Sequence, residues 1–183
     1  MQNFYQKIYN EINDSLNQTD YESLNKISKN FKETKNKNKK VIIFGNGGSA
    51  AIASHVSVDL TKNAKIRSIN FNEADLITCF ANDYGYEKVF AKSLEFYADT
   101  GDIVVIISSS GESKNIINAA EFCKENNFLL CTFTGFSKMN TLKKIGDINM
   151  WVDSNAYNVV ENIHQIWLLS IVDNIIGKTE YRS

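Results

Sequence analysis

The chain has 183 residues, 43% hydrophobic and 22% charged, enough to bury the core of one soluble domain. A formal net charge of -1 at pH 7 excludes any general attraction to nucleic acid or to an anionic membrane surface. The first residues, MQNFYQKIYNEIND, lack the apolar stretch of a signal peptide, and no apolar run of about 18 residues exists to cross a bilayer. Cys79, Cys123 and Cys131 make an odd set with no CxxC pair. They read as reduced thiols in a core, so a cytoplasmic location is expected, with no nucleic-acid or membrane partner.

Residues 3–35 carry Phe4, Ile8, Ile12, Leu16, Leu24, Ile27 and Phe31 at helical spacing, interrupted by the polar stretch 17–20. Two helices, or one bent helix, are expected there. The Lys-rich stretch 32–40 contains no aromatic residue and reads as a solvated connection. The continuous apolar run Val41, Ile42, Ile43, Phe44 then predicts a strand buried on both faces, followed by a glycine-rich turn and a helix over 49–61. A second strand is expected at 66–71, and helices at 74–83 and 86–97. Ile103 to Ile107 repeats the buried-strand pattern, with a helix at 113–125 after it. Strand 128–134, a short helix 139–144, strand 148–152 and a long helix 158–176 complete the chain. In that last helix the stripe Val160, Ile163, Trp167, Ser170 and Ile171 reads as core or interface packing. Strands alternating with helices predict an α/β fold, a three-layer doubly wound sheet of five parallel strands with extra N-terminal helices. Residues 1–183 read as one domain, with the N-terminal helices in 1–36 and the α/β core in 40–177.

Ligands of an open parallel sheet bind beyond the carboxyl ends of its strands. Two segments fall there. Gly45-Asn46-Gly47-Gly48-Ser49 lets backbone N–H groups approach an anion at a helix N-terminus, though it fits neither the Rossmann nor the Walker pattern. Ser108-Ser109-Ser110-Gly111-Glu112-Ser113 offers hydroxyls and a glycine in the equivalent place. Either alone can be a tight turn with a serine cap. Two such turns in one sheet point to a shared phosphate cradle.

The segments GNGGSAAIASHVSVDL, FANDYGYEKVFAKSLE, IISSSGESKNIINAAEFCKE and VENIHQIWLLSIVD together resemble the sugar-isomerase (SIS) domain over residues 40–176, and within it the phosphoheptose isomerases. The resemblance implies a five-stranded parallel sheet, commonly in a homotetramer with active sites between subunits. It places Ser49, Ser108, Ser109, Ser110 and Ser113 on phosphate and Asn46 on substrate, with Gly47 and Gly48 in the same turn. Asn82 and Asp83 match a motif beside the sugar pocket. The family's His and Glu, four apart after GNGGS, correspond to His55 and Asp59. Its Gln and second His, which complete a zinc site, correspond to Glu161 and Leu169. Asn63 and Asn158 stand where the family has Arg and Asp.

Helix spacing supplies a substitute. Glu161 and His164 are three apart and share a helix face, so His55, Asp59, Glu161 and His164 form a candidate Zn2+ set. His55 can equally be a half-buried residue bonded to Asp59. The function implied is aldose–ketose isomerisation of a phosphorylated sugar such as sedoheptulose 7-phosphate, supplying heptose precursors of surface polysaccharide. Asp59 or Glu161 would then move the proton, and His55 or a bound metal would polarise the oxygen. A phosphosugar-binding protein without catalysis is the alternative.

Overall fold

Two runs of consecutive β-branched and aromatic residues set the architecture. In the computed structural model, which describes residues 3–180, Val41–Gly45 (β1) and Ile103–Ser108 (β3) are buried at every position. Such strands require cover on both faces. Helices α1 (Phe4–Asn17) and α2 (Tyr21–Asn36) precede β1, and α3 (Gly47–Lys62) follows it. Then come β2 (Ser68–Ile69), α4 (Ala74–Tyr84), a 3₁₀ turn (Tyr86–Lys88) and α5 (Val89–Tyr97). After β3, the chain forms α6 (Lys114–Glu125), β4 (Leu129–Thr134), α7 (Thr141–Ile145), β5 (Ile148–Trp151) and α8 (Tyr157–Ile176). The sheet has five strands, all parallel, in the order β2-β1-β3-β4-β5.

Side-chain alternation splits the core in two. Val41, Ile43, Val105, Ile107 and Phe133 face Ile27 and Phe31 of α2, Leu60 of α3 and Ile163 and Leu168 of α8. Ile42, Phe44, Val104, Ile106 and Leu130 face Leu94 of α5 and Ile116 and Ala120 of α6. Helix α1 buries no residue completely. It is tied down by Ile12 and Leu16 against the first cluster, and by a hydrogen bond from Ser154 to the Glu11 carboxylate at 2.8 Å.

Several sequence expectations change in detail. The second strand shrinks to Ser68–Ile69, because Asn70 Oδ1 accepts from the Asn72 N–H at 3.0 Å and turns the edge away from pairing. Ser170 is exposed, one step outside the buried stripe of α8. Cys79 is exposed because no residue of α4 is fully buried, whereas Cys123 and Cys131 are in the core. Burial pushes both of those thiols up to about 12, so they stay protonated and inert.

Lys40 also departs from the solvated connection expected of the 32–40 stretch. Its side chain is 8% exposed and its ammonium lies 2.6 Å from Asp102 and 2.7 Å from Asp99. Burial opposes that charge, but hydrogen bonds to the two carboxylates outweigh it and hold Lys40 above the ordinary lysine value. Asp102 is fully buried and also accepts from the backbone N–H groups of Lys40 (2.9 Å) and Asp99 (2.8 Å). The cluster sits where β1 and β3 begin, beside the bond from the Ile103 N–H to the Lys40 carbonyl at 3.1 Å. It therefore fixes the register of the two central strands.

His164 is a core residue, which corrects its assignment to the metal set. Its side chain has no exposure, its Nε2–H donates to the Thr134 carbonyl at 3.0 Å, and its ring packs against Phe133 and Trp167. Burial pulls its pKa down to about 4, opposed only by the bond to Thr134.

Two stability predictions result. Asp102→Ala leaves a buried ammonium short of its nearest carboxylate and two backbone donors unpaired, and should cost about 3–5 kcal/mol in urea unfolding. His164 is neutral in the folded chain and protonates near pH 6.5 when unfolded, so its contribution is constant above that pH. Stability is lost as the pH falls from about 6.5 towards 4, by about 2 kcal/mol between pH 7 and pH 5. His164→Gln should flatten that slope relative to the wild type; equal slopes would disprove the assignment.

Candidate active site

The strand order reverses direction between β1 and β3, the switch point at which open α/β sheets bind ligands. Gly45 pairs with Ile107 in register, so the loops leaving the two strands lie side by side. Between them is a cavity of about 240 Å3 lined by Asn46, Gly47, Gly48, Ser49, Ser108, Ser109, Ser110 and Ser113, with Tyr157 and Glu161 from α8. Residues 46–49 of the first loop and the four serines of the second therefore meet at one place.

The cradle's positive potential comes from backbone. Helices α3, α6 and α8 begin at its wall, and none has a side chain hydrogen-bonded to its N-terminal N–H groups. Uncapped N–H groups and aligned peptide dipoles favour an anion there. No Lys or Arg is among the described lining residues. The hydroxyls are organised: Ser108 Oγ accepts from the Gly111 N–H at 3.2 Å, and Ser110 Oγ from the Glu112 N–H at 3.3 Å. Each hydroxyl proton is left free to donate to a ligand. Ser109 Oγ is buried with no hydrogen-bond partner, the kind of orphaned donor that a bound anion would satisfy.

A second cavity, about 310 Å3, adjoins the first and shares Gly48 and Glu161 with it. Its other walls are Ala51, Ile52 and His55 of α3, and Asn162 and Gln165 of α8. Glu161 is the hinge of the two. Its carboxylate lies against Gly48 so closely that a methyl group at position 48 would collide with it. A side chain at position 48 would therefore push the Glu161 carboxylate aside from the place where the two cavities meet.

His55 is half exposed, with Nε2 3.6 Å from Asp59 Oδ2 one helical turn away. Asp59 Oδ1 accepts from Asn63 Nδ2 at 3.0 Å, so Asn63 orients the carboxylate that faces the imidazole. On the other side, Gln165 Nε2 lies 3.5 Å from His55 Nδ1. Spacing of four along α8 puts Gln165 on the Glu161 face, a signal the sequence contained and the sequence analysis did not use. Tyr157, in the first turn of α8, was likewise missed. Asn46, expected to touch substrate, forms a reciprocal amide pair with Asn115 at 2.9 and 3.0 Å.

Other expected residues lie elsewhere. Asn82 and Asp83 sit exposed at the end of α4, bonded to each other at 2.9 Å, and line neither cavity. His164 points into the core and does not join His55, Asp59 and Glu161. Leu169 packs against the same apolar cluster. Among the described residues, no three His, Cys, Asp or Glu side chains are grouped to hold a metal ion.

Comparison with known proteins gives the family. Residues 4–135 match the SIS domain family. The phosphoheptose isomerase of Aliarcobacter butzleri is 34% identical over 168 residues, covering 86% of this chain and 87% of that protein. A probable phosphoheptose isomerase of Thermoplasma acidophilum is 39% identical over 132 residues, covering 68% and 71%. The structure of a phosphoheptose isomerase from Francisella tularensis superposes with a TM-score of 0.86, covering 96% of this chain and 95% of that one; at 23% identity this likeness speaks to the fold. The chain belongs to the SIS domain family, and within it is similar to the phosphoheptose isomerases.

Proposed function

We propose that this protein is an aldose–ketose isomerase of a phosphorylated sugar, with sedoheptulose 7-phosphate as substrate, and that it supplies heptose precursors for surface polysaccharide. One observation carries the reading: the two cavities join at Glu161, so a phosphate cradle and an acid–base cluster form one elongated groove. In sedoheptulose 7-phosphate the phosphate and the reacting C1–C2 pair are at opposite ends of the carbon chain. A groove with a serine cradle at one end and His55 at the other matches that separation. The phosphoheptose isomerase relatives give the same activity class.

In this reading Ser49, Ser108, Ser109, Ser110 and Ser113, with the N–H groups of α3 and α6, hold the phosphate. The carbonyl carbon is thereby fixed next to Glu161. The Glu161 carboxylate takes a proton from C1 of the ketose, while the His55 imidazole donates a hydrogen bond to the C2 oxygen and stabilises the enediolate. Glu161 then returns the proton to C2, and the hydroxyl proton of O1 passes through His55 to O2, giving the aldose. Asp59 steadies the positive charge on His55 during the transfer and is itself held by Asn63. A carboxylate shared between the cavities fits the base better than Asp59, which lines neither.

The family's zinc does not fit the residues present. Leu169 has no donor atom, His164 is bonded to Thr134 inside the core, and His55, Asp59 and Glu161 are not grouped as ligands. The proton steps above therefore run through side chains alone. We also read the chain as one domain, cytoplasmic, and assembled into a homo-oligomer, a tetramer by its resemblance. The helix α4, rich in apolar residues and with none fully buried, supports the assembly. Among the described residues, no helix is long and apolar enough to cross a membrane.

A second reading, phosphosugar binding without turnover, is favoured by the same Leu169. Kinetics separate the two. Glu161→Gln should lower kcat on sedoheptulose 7-phosphate at least a hundredfold, with KM within a few-fold of the wild type, since the amide keeps its place against Gly48 but cannot accept the proton. Saturable binding with no wild-type turnover would select the second reading. Dialysis of untagged protein against EDTA should leave turnover intact; loss on chelation that zinc restores would overturn the side-chain route.

A further inference from the structure

The amide of Asn46 is held from two separate parts of the chain. Asn46 itself is the residue before α3, at the cradle wall. Asn115, buried in the first turn of α6, exchanges two hydrogen bonds with it, at 2.9 and 3.0 Å. Tyr86, in the 3₁₀ turn forty residues further on, donates its phenolic hydrogen to Asn46 Oδ1 at 3.1 Å. Oδ1 accepts from both Asn115 and Tyr86, which uses its two lone pairs. Nδ2 gives one hydrogen to Asn115 and keeps the other, and Asn46 lines the phosphate cavity.

The position of Tyr86 is itself fixed. Gly85 ends α4 at φ +87°, a conformation that side chains disfavour, and turns the chain back towards the sheet edge. The Glu87 carbonyl then accepts from Asn118 Nδ2 at 2.9 Å. Asn115 and Asn118 are three apart on α6, so one face of one helix holds both the Asn46 amide and the turn that carries Tyr86.

We propose that Tyr86 and Asn115 are positioning residues: they lock the Asn46 carboxamide so that its remaining N–H is presented to the bound phosphosugar. The inference rests on the phosphosugar reading of the cavity. A free asparagine amide would have to be oriented at the moment of binding, and locking it beforehand removes that cost. Tyr86 acts on Asn46 through its hydroxyl, the residue itself being 55% exposed.

The test measures Kd for sedoheptulose 7-phosphate by calorimetry in wild type, Tyr86→Phe, Asn46→Ala and the Tyr86→Phe/Asn46→Ala double variant. Tyr86→Phe should weaken binding about fivefold, the effect of one neutral hydrogen bond, with an unchanged melting temperature. In the Asn46→Ala background the same substitution should be silent, since its target is gone. A merely structural tyrosine would not show that dependence on Asn46. Wild-type Kd retained in Tyr86→Phe, or an equal loss in both backgrounds, overturns the inference alone. Absence of saturable binding by the wild type overturns the phosphosugar reading as well.

Discussion

The parallel pairing of β1 with β3 is the constraint on which the site depends. Gly45 opposite Ile107 delivers two loops to one point, and each loop ends in a helix whose first N–H groups no side chain caps. A shift of one residue would exchange the two buried faces of β1 and carry its loop away from the serines. The register is therefore a functional quantity as well as a structural one. At the far end of the same strands, Lys40 and Asp102 hold it with a buried ion pair and two backbone bonds. Such a pair is costly to desolvate and adds little net stability against an apolar replacement. A shifted register would take the Lys40 N–H and ammonium away from Asp102, so the pair favours the observed register.

The phosphate end of the groove uses backbone where many phosphate sites use lysine. Because helix dipoles and N–H groups cannot move, their field is fixed before ligand arrives and costs no side-chain entropy on binding. It also leaves Glu161 as the only formal charge among the described residues of the cradle lining. A carboxylate next to a bound phosphate would be repelled, so the proposed binding mode puts the phosphate towards Ser108–Ser113, with the sugar chain passing over Gly48. The closeness of Glu161 to Gly48 then aims the carboxylate at the carbon skeleton.

Much of this was legible in the amino-acid sequence, for identifiable reasons. Continuous apolar runs revealed β1 and β3 because a strand buried on both faces has no polar positions to alternate. The serine cradle was legible because its residues are contiguous. The catalytic end was less so, because it is assembled from two helices and depends on which face of α8 turns inward. Spacing of three placed His164 beside Glu161 on a helical wheel, but the core of α8 claims position 164 while 161 and 165 turn towards α3. Lys40 was misread for a related reason. Its run of lysines is solvated up to the residue at which the strand begins, and only the distant Asp102 marks that change.

The substitutions relative to the family pattern form one connected set. Replacing a metal-ligating histidine by Leu169 would leave three imidazole or carboxylate groups without their shared centre. Here those groups have partners of their own: Asn63 on Asp59, Asp59 and Gln165 on either side of His55, and Gly48 beneath Glu161. Asn63 stands where a longer, charged arginine is expected, and its short amide suits a carboxylate four residues back on the same helix. With Glu in place of Gln at 161, the groove gains a group able to carry a proton at the position where the family places a neutral ligand. In the proposed mechanism, the absence of a ligand at 169 and the presence of a carboxylate at 161 are opposite sides of one change. The serine cradle proposed for the phosphate needs neither, and its residues line one cavity.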